Sequence, residues 1–432
     1  MTVQDRPHVG HMRAFITGDI IRRYLEYKGF EVTYLTNFTD IDDKIIARAH
    51  RENTDWRMIA DRYINEYFRA ADLMNIKRAT HYPRATIHVQ EIIEMVEAIL
   101  KNGHGYVTPS GSVYFHVPSF PEYGKLSGKK VEDLVAGARI EPDPEKKHPA
   151  DFALWKAWKE GEPYWYSPWG KGRPGWHIEC SAMTTHYLGQ PFDIHGGGSD
   201  LIFPHHENEI AQAEAAYGKK FVNYWVHNGP VRLKGEKMSK STGLFFAVLD
   251  VLETYDPNEL RLYLLKTHYR TPIDYSFDRL NEAKAAWDNF RSFFERLPEE
   301  LPEPNTSNPE MAGWLSRFEE AMDDDFNTPR ALAVAFELLT EANRRLNQGD
   351  KTASELAAVL KLMLDVLGFR VQSPATKVQD IVDDLLNLII EVRSELRKQR
   401  NFQLADRIRD RLGALGVLLE DTPEGTKYRF NR

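Results

Sequence analysis

The chain has 432 residues, 42% of them hydrophobic and 28% charged, and carries a formal net charge of −8. That balance belongs to globular domains with at least one large core, and no apolar run approaches the ~20 residues a membrane span requires. The acidic total argues against indiscriminate DNA binding, the opening residues form no apolar leader, and a single cysteine, Cys180, excludes an intrachain disulfide framework. A cytoplasmic protein without membrane contact is the expectation.

In chain order, the first third alternates short apolar runs with helical patterns, as βαβ units do. Residues 15–27 place Ile16, Ile20, Tyr24 and Ile21, Leu25 at helical spacing, with Gly29 where the helix would end. Residues 31–35 predict a strand, and the acids of 37–44 predict the first turn of the next helix. Residues 81–149 form a turn-rich insertion punctuated by Pro118, Pro121, Gly124, Gly128, Pro142 and Pro144. Strands return at 192–195 and 221–226. Beyond 279 the pattern changes to long helices, 280–296, 311–325 and 331–346, and a turn near Pro374 sets off a last segment.

The expected fold is α/β: a Rossmann-like doubly wound parallel sheet with an insertion, followed by a helical bundle and a small C-terminal domain. The expected divisions are a catalytic domain at 1–80 and 150–245, the insertion at 81–149 and a stem-contact segment at 246–278. A helical bundle at 279–370 and a terminal domain at 375–432 complete them.

Three constellations carry chemistry. His8-Val-Gly-His11 stands where a helix begins, with both imidazoles on one face of the first turn and Gly10 opening the backbone to a ligand. Free N–H groups there favour phosphate. Taken alone, two such histidines are a common surface pattern. Lys237-Met-Ser-Lys240-Ser is a small polar loop whose lysines would neutralise pyrophosphate; alone it is a solvated charge cluster. Paired across an α/β segment, the two motifs are the signature of class I aminoacyl-tRNA synthetases. The third set is Cys180 with His205 and Glu209, the last two being four apart and so on one helical face; all three are acceptable zinc ligands, although a His–Glu pair at this spacing is usually structural.

Several stretches resemble the cysteinyl-tRNA synthetase family in particular: 37–44, Asn-Phe-Thr-Asp-Ile-Asp-Asp-Lys; 151–156, Asp-Phe-Ala-Leu-Trp-Lys; 167–183; and 192–209, which ends Phe-Pro-His-His-Glu-Asn-Glu. The resemblance runs over nearly the whole chain. It implies one Zn2+ held by Cys180, His205 and Glu209, gripping the substrate sulfur far better than a serine hydroxyl would be gripped. It further implies that Thr39, Trp176 and His195 form the substrate pocket, and that His8, Gly10, His11, Asp200, Lys237 and Lys240 bind ATP, with Mg2+ accompanying the nucleotide. His8, His11 and Lys240 would stabilise charge on the phosphates.

The implied partners are ATP, L-cysteine and tRNA(Cys), with a monomer expected. Residues 393–411 hold seven Lys or Arg against three Asp or Glu, a local basic face suited to phosphates, though solvated helices often look the same. The resemblance matches Arg397, Phe402, Asp406 and Asp421 to anticodon-reading positions. Against the family pattern, the opening strand is missing, as is a cysteine that would lie two residues before Met1. The sheet is therefore expected to lack its first strand and zinc its fourth protein ligand, and the natural polypeptide is expected to be longer. Two other readings share part of these motifs: a ligase joining cysteine to an amino-sugar, and a catalytically impaired RNA-binding paralogue.

Overall fold

The computed structural model describes residues 1–130, 144–233, 236–237, 246–298, 300–371, 374–422 and 425–430. They fall into two compact units, one of residues 1–289 with 303–370 and one of residues 290–302 with 371–432.

In the first unit α1 (Val9–Tyr27) begins six residues before the 15–27 expected, because His8 caps it. Its buried face carries Val9, Met12, Ile16 and Ile20, together with two charged residues, Arg13 and Asp19. The chain turns at Gly29, whose φ of +88° suits glycine. Segment 31–35 is not a strand; it makes one parallel bridge, Leu35 with His81, and a second follows beyond it, Phe38 with Arg84. The partner segment contains Pro83, which has no N–H to extend the ladder. α2 (Asp43–Glu52) follows, capped by Asp42, whose Oδ1 accepts from the Lys44 N–H at 2.9 Å, and then α3 (Trp56–Leu73).

The insertion opens with α4 (Val89–Lys101) and builds an antiparallel sheet. Its strands are β1 (Gly105–Val107), β2 (Val113–Phe115), β3 (Phe152–Ala157), β4 (Trp165–Ser167) and β5 (Gly170–Pro174), in the order β1-β2-β3-β5-β4. The sheet thus continues across residue 149. Val113, Phe115, Leu154 and Trp155 on one face pack on Ile92, Val96 and Ile99 of α4. The same core takes in Ile178 and Ala182 of α5 (Trp176–Leu188) and Ala211 and Ala215 of α6 (Glu207–Tyr217). One continuous apolar layer therefore joins the sheet to the helices that carry Cys180 and Glu209.

Parallel pairing is expressed in β6 (Phe192–Gly198) and β7 (Val222–Asn228), with α1 lying against both. β8 (Val231–Leu233), β9 (Glu236–Lys237) and β10 (Ile273–Asp274) form a small mixed sheet. After α7 (Val248–Leu252), α8 (Pro257–Leu265) and α9 (Phe277–Phe294), three helices pack on one another: α10 (Pro309–Asp323), α11 (Thr328–Asn347) and α12 (Thr352–Val366). The second unit contains α13 (Pro374–Lys398), α14 (Phe402–Ala414) and the antiparallel hairpin of β11 (Val417–Thr422) and β12 (Gly425–Phe430) around Leu386, Leu412 and Val417. Among the described residues no helix is long and apolar enough to cross a membrane.

Two buried guanidinium groups tie the first unit together. Arg13 donates to the carbonyl oxygens of Pro230 and His268, both at 3.1 Å, of Tyr269 at 3.2 Å, and of Thr271. Burial lowers its pKa to about 10, so it stays charged at neutral pH. Arg261, on α8, pairs with Asp19 of α1 and donates to the carbonyls of Leu367 at 2.8 Å and Met74 at 2.7 Å. Asp19 also accepts from Arg23 Nε at 2.8 Å and the Lys77 N–H at 2.9 Å. Burial pushes its carboxyl up, but Arg261 and Arg23 overcome this and hold it below the usual carboxylate range.

Removing one partner of a buried pair leaves an uncompensated charge, and Arg261→Leu also orphans two carbonyls. We expect a loss of about 3–5 kcal/mol, read by denaturant unfolding. Because Asp19 is depressed in the folded state, its contribution is present above the unfolded carboxyl pKa of about 4 and is lost as pH falls through the folded value. Asp19→Asn should therefore flatten the acid limb of the stability profile.

Candidate active site

The start of α1 is closed by its own motif. The His11 N–H donates to His8 Nδ1 at 3.2 Å and the His8 N–H to His11 Nδ1 at 3.3 Å, a reciprocal capping box made of two imidazoles. The rings stack with centroids 3.6 Å apart. Because each Nδ1 accepts, each neutral ring carries its proton on Nε2 and presents a donor there. A Cβ on Gly10 would lie 3.0 Å from His8 Cε1 and Nδ1, so the ring would have to shift by a few tenths of an ångström to admit it.

The second cluster lies where α5 faces the entry of α6. One ligand atom each from Cys180, His205 and Glu209 lies within 4.8 Å of the others, all three residues being buried. His205 Nε2 is 3.0 Å from Glu209 Oε1, and His195 Nε2, on β6, is 3.5 Å from Oε2. Neither oxygen of this fully buried carboxylate receives a hydrogen bond of good geometry. Burial would push Glu209 up, yet His195 and His205 hold it well below the usual range. Burial, with Glu209 and Glu179 nearby, pushes the Cys180 thiol well up, so a cation is what would make the sulfur a thiolate. A buried carboxylate poor in donors, beside sulfur and imidazole, fits zinc.

Around this cluster stand neutral imidazoles. His177 Nδ1 lies 2.8 Å from His205 Nδ1, and His206 Nδ1 lies 2.8 Å from His227 Nε2. Burial lowers His177 and His206 well below the ordinary value and His227 to about 4. A cation would need the lone pair of His205 Nε2, which puts the proton on Nδ1, facing His177. Asn37 Nδ2 approaches Cys180 Sγ at 3.3 Å. Trp176 covers His205 with ring centroids 4.3 Å apart, and Trp225 lies against both His195 and His206.

Thr39 is buried, pairs its backbone with Val3 and hydrogen-bonds Glu179, whose carboxyl burial raises. Asp200 lies exposed in the short turn after β6. Lys237 ends β9, and Lys240 lies outside the described residues. In the second unit Arg397 sits in the last turn of α13, Phe402 opens α14 with 54% exposure, Asp406 lies 3.5 Å from Arg409 and Asp421 is a β11 residue. Sequence reasoning passed over His177, His206, His227 and Asn37. A signal existed for the first two: His177 is three residues before Cys180 on one helix, and His206 adjoins His205.

Residues 1–285 match the family described as the tRNA synthetases class I (C) catalytic domain, and residues 317–372 match the DALR domain. Among solved structures, methionyl-tRNA synthetase of Mycobacterium tuberculosis in complex with methionyl-adenylate shares the fold. Its TM-score is 0.60 at 16% identity, over 85% of this chain and 88% of that one. Fold and motif thus define a class I tRNA synthetase.

The cysteine–tRNA ligase of Carboxydothermus hydrogenoformans is 49% identical over 98% of this chain and 92% of its own. That of Alkalilimnicola ehrlichii is 50% identical over 99% and 93%. The chain belongs to the cysteine–tRNA ligase family.

Equilibrium dialysis against zinc should give about one ion per chain, with His205→Ala or Glu209→Ala largely abolishing retention. His177→Ala keeps all three ligands and should weaken zinc by about 10- to 100-fold.

Proposed function

We propose that the chain activates L-cysteine with ATP to cysteinyl-adenylate and transfers the cysteinyl group to the 3′-terminal adenosine of tRNA(Cys). The observation that carries this reading is the buried Cys180, His205 and Glu209 triad beside Trp176 and His195, in a chain about half identical to cysteine–tRNA ligases. Zinc held by that triad would supply a soft partner for the substrate sulfur that a serine hydroxyl cannot match. Trp176 and His195 line the pocket, Thr39 meets the backbone end of the amino acid, and Asp200 meets its ammonium or the ribose.

In the first step a carboxylate oxygen of cysteine attacks the α-phosphorus of Mg-ATP and the bond to the bridging oxygen breaks, releasing pyrophosphate. The Nε2–H groups of His8 and His11, with Lys237 and Lys240, stabilise charge building on the phosphate oxygens. In the second, a terminal adenosine hydroxyl attacks the carbonyl carbon and AMP leaves. Both steps rest on positioning, with no covalent protein intermediate. Arg397, Phe402, Asp406 and Asp421 read the anticodon. The protein acts in the cytoplasm as a monomer.

ATP–pyrophosphate exchange tests the reading: cysteine should support exchange and serine should not, and equal rates would overturn it. His8→Ala should lower the cysteine-dependent rate by about 10²–10³-fold, the loss of one preorganised donor, with little change in KM for cysteine.

A further inference from the structure

A second group of metal-ligating side chains stands apart from the Cys180 cluster, where the start of α4 meets the end of α5. It consists of His88, which precedes α4, Glu91 in the first turn of α4, and His186 in the last turn of α5. One ligand atom from each lies within 4.8 Å of the others. His88 is buried, Glu91 is half-buried and His186 is exposed, so an ion can enter from solvent.

The hydrogen bonds select the donor atoms. His88 Nδ1 lies 2.8 Å from the Arg84 carbonyl, which only accepts, so that nitrogen carries the proton. The neutral ring therefore keeps its lone pair on Nε2, where the Tyr187 hydroxyl donates at 3.1 Å. A carbonyl holding one ring nitrogen is the arrangement that orients a metal-binding histidine. His186 Nδ1 and Glu91 Oε1 face each other at 3.6 Å, too far for a hydrogen bond. Two atoms bound to one tetrahedral zinc stand about 3.3 Å apart, so this gap is close to what an ion spans.

We propose that His88 Nε2, Glu91 and His186 form a second metal site, for zinc or another divalent first-row ion. Two imidazoles and a carboxylate suit such ions, whereas Mg2+ and Ca2+ take oxygen ligands. The Tyr187 hydroxyl gives up Nε2 as the ion arrives. The ligands are partly exposed and none is sulfur, so this site binds more weakly than the buried triad. At low free zinc the triad fills alone, and the second ion enters as free zinc rises to micromolar. The two sites share no ligand, yet the second ion ties α4 to the helix that bears Cys180, about 9 Å along its axis from that residue.

The test is a calorimetric titration of the full chain with zinc, after dialysis at nanomolar free zinc has filled the triad. One further ion should bind, and a large excess of Mg2+ should not compete. His186→Ala and Glu91→Gln should each weaken the second ion by at least about 10-fold while the first is retained. His205→Ala, which loses the first ion, should take the second with unchanged affinity, so failure of the triad reading leaves this test intact. Co2+ supplied as the second ion should absorb in the visible without a thiolate-to-metal band. No second ion up to millimolar zinc, equal binding by the parent and both variants, or a thiolate band would each overturn the proposal.

Discussion

The Asp19 carboxylate is buried on α1, and taking such a charge out of water costs several kcal/mol. It is held there by Arg261 and Arg23 and by the Lys77 N–H. Arg261 in turn occupies the carbonyls of Leu367, at the end of α12, and Met74, after α3. One anion thus fixes α1 against α8 and against both chain segments flanking them. Gly368 shows how tight the arrangement is: its φ is +75°, and an added Cβ would lie 2.0 Å from Arg261 Nη2. Arg13 does the same on the other side of α1, collecting carbonyls from the end of β7 and the turn after α8. The helix that presents His8 and His11 is therefore set by charge at two points along its length.

The metal-competent cluster depends on a different economy of protons. Cys180, His205 and Glu209 come from two segments, and α5 and α6 share one apolar layer with the insertion sheet. Glu207, two residues before Glu209, accepts from the Gly124 N–H at 2.9 Å and the Ser127 N–H at 2.8 Å. The helix bearing Glu209 is thus also the anchor of an insertion loop. Burial lowers His177, His206 and His227, and it is His195 and His205 that hold the Glu209 carboxyl down.

Period and motif made much of this legible. The helices at 309–323 and 328–347 follow their apolar spacing, and β6 and β7 follow their β-rich runs. Spacing joined His205 to Glu209, but only folding brings Cys180 to them, because that contact crosses a helix pair. Local pattern failed at residues 31–35, where Pro83 in the partner segment cuts pairing short. It also gave no warning of Arg13, Asp19 and Arg261, whose partners lie far away along the chain. Strands of three residues, such as β1, β2 and β4, carry too little alternation to announce a sheet. The partners of His177 and His206 are set by tertiary contact, which no spacing encodes.

The reciprocal cap at the start of α1 has a corollary for the nucleotide. The two backbone N–H groups satisfied by the imidazoles are the same kind of donor that a helix start offers to phosphate. If the His8 ring swings out to meet an oxygen, the His11 N–H still has the His8 carbonyl at 2.9 Å, and an incoming oxygen can take the place of the imidazole nitrogen. A phosphate oxygen arriving there would close the same helical turn that the two imidazoles close between themselves.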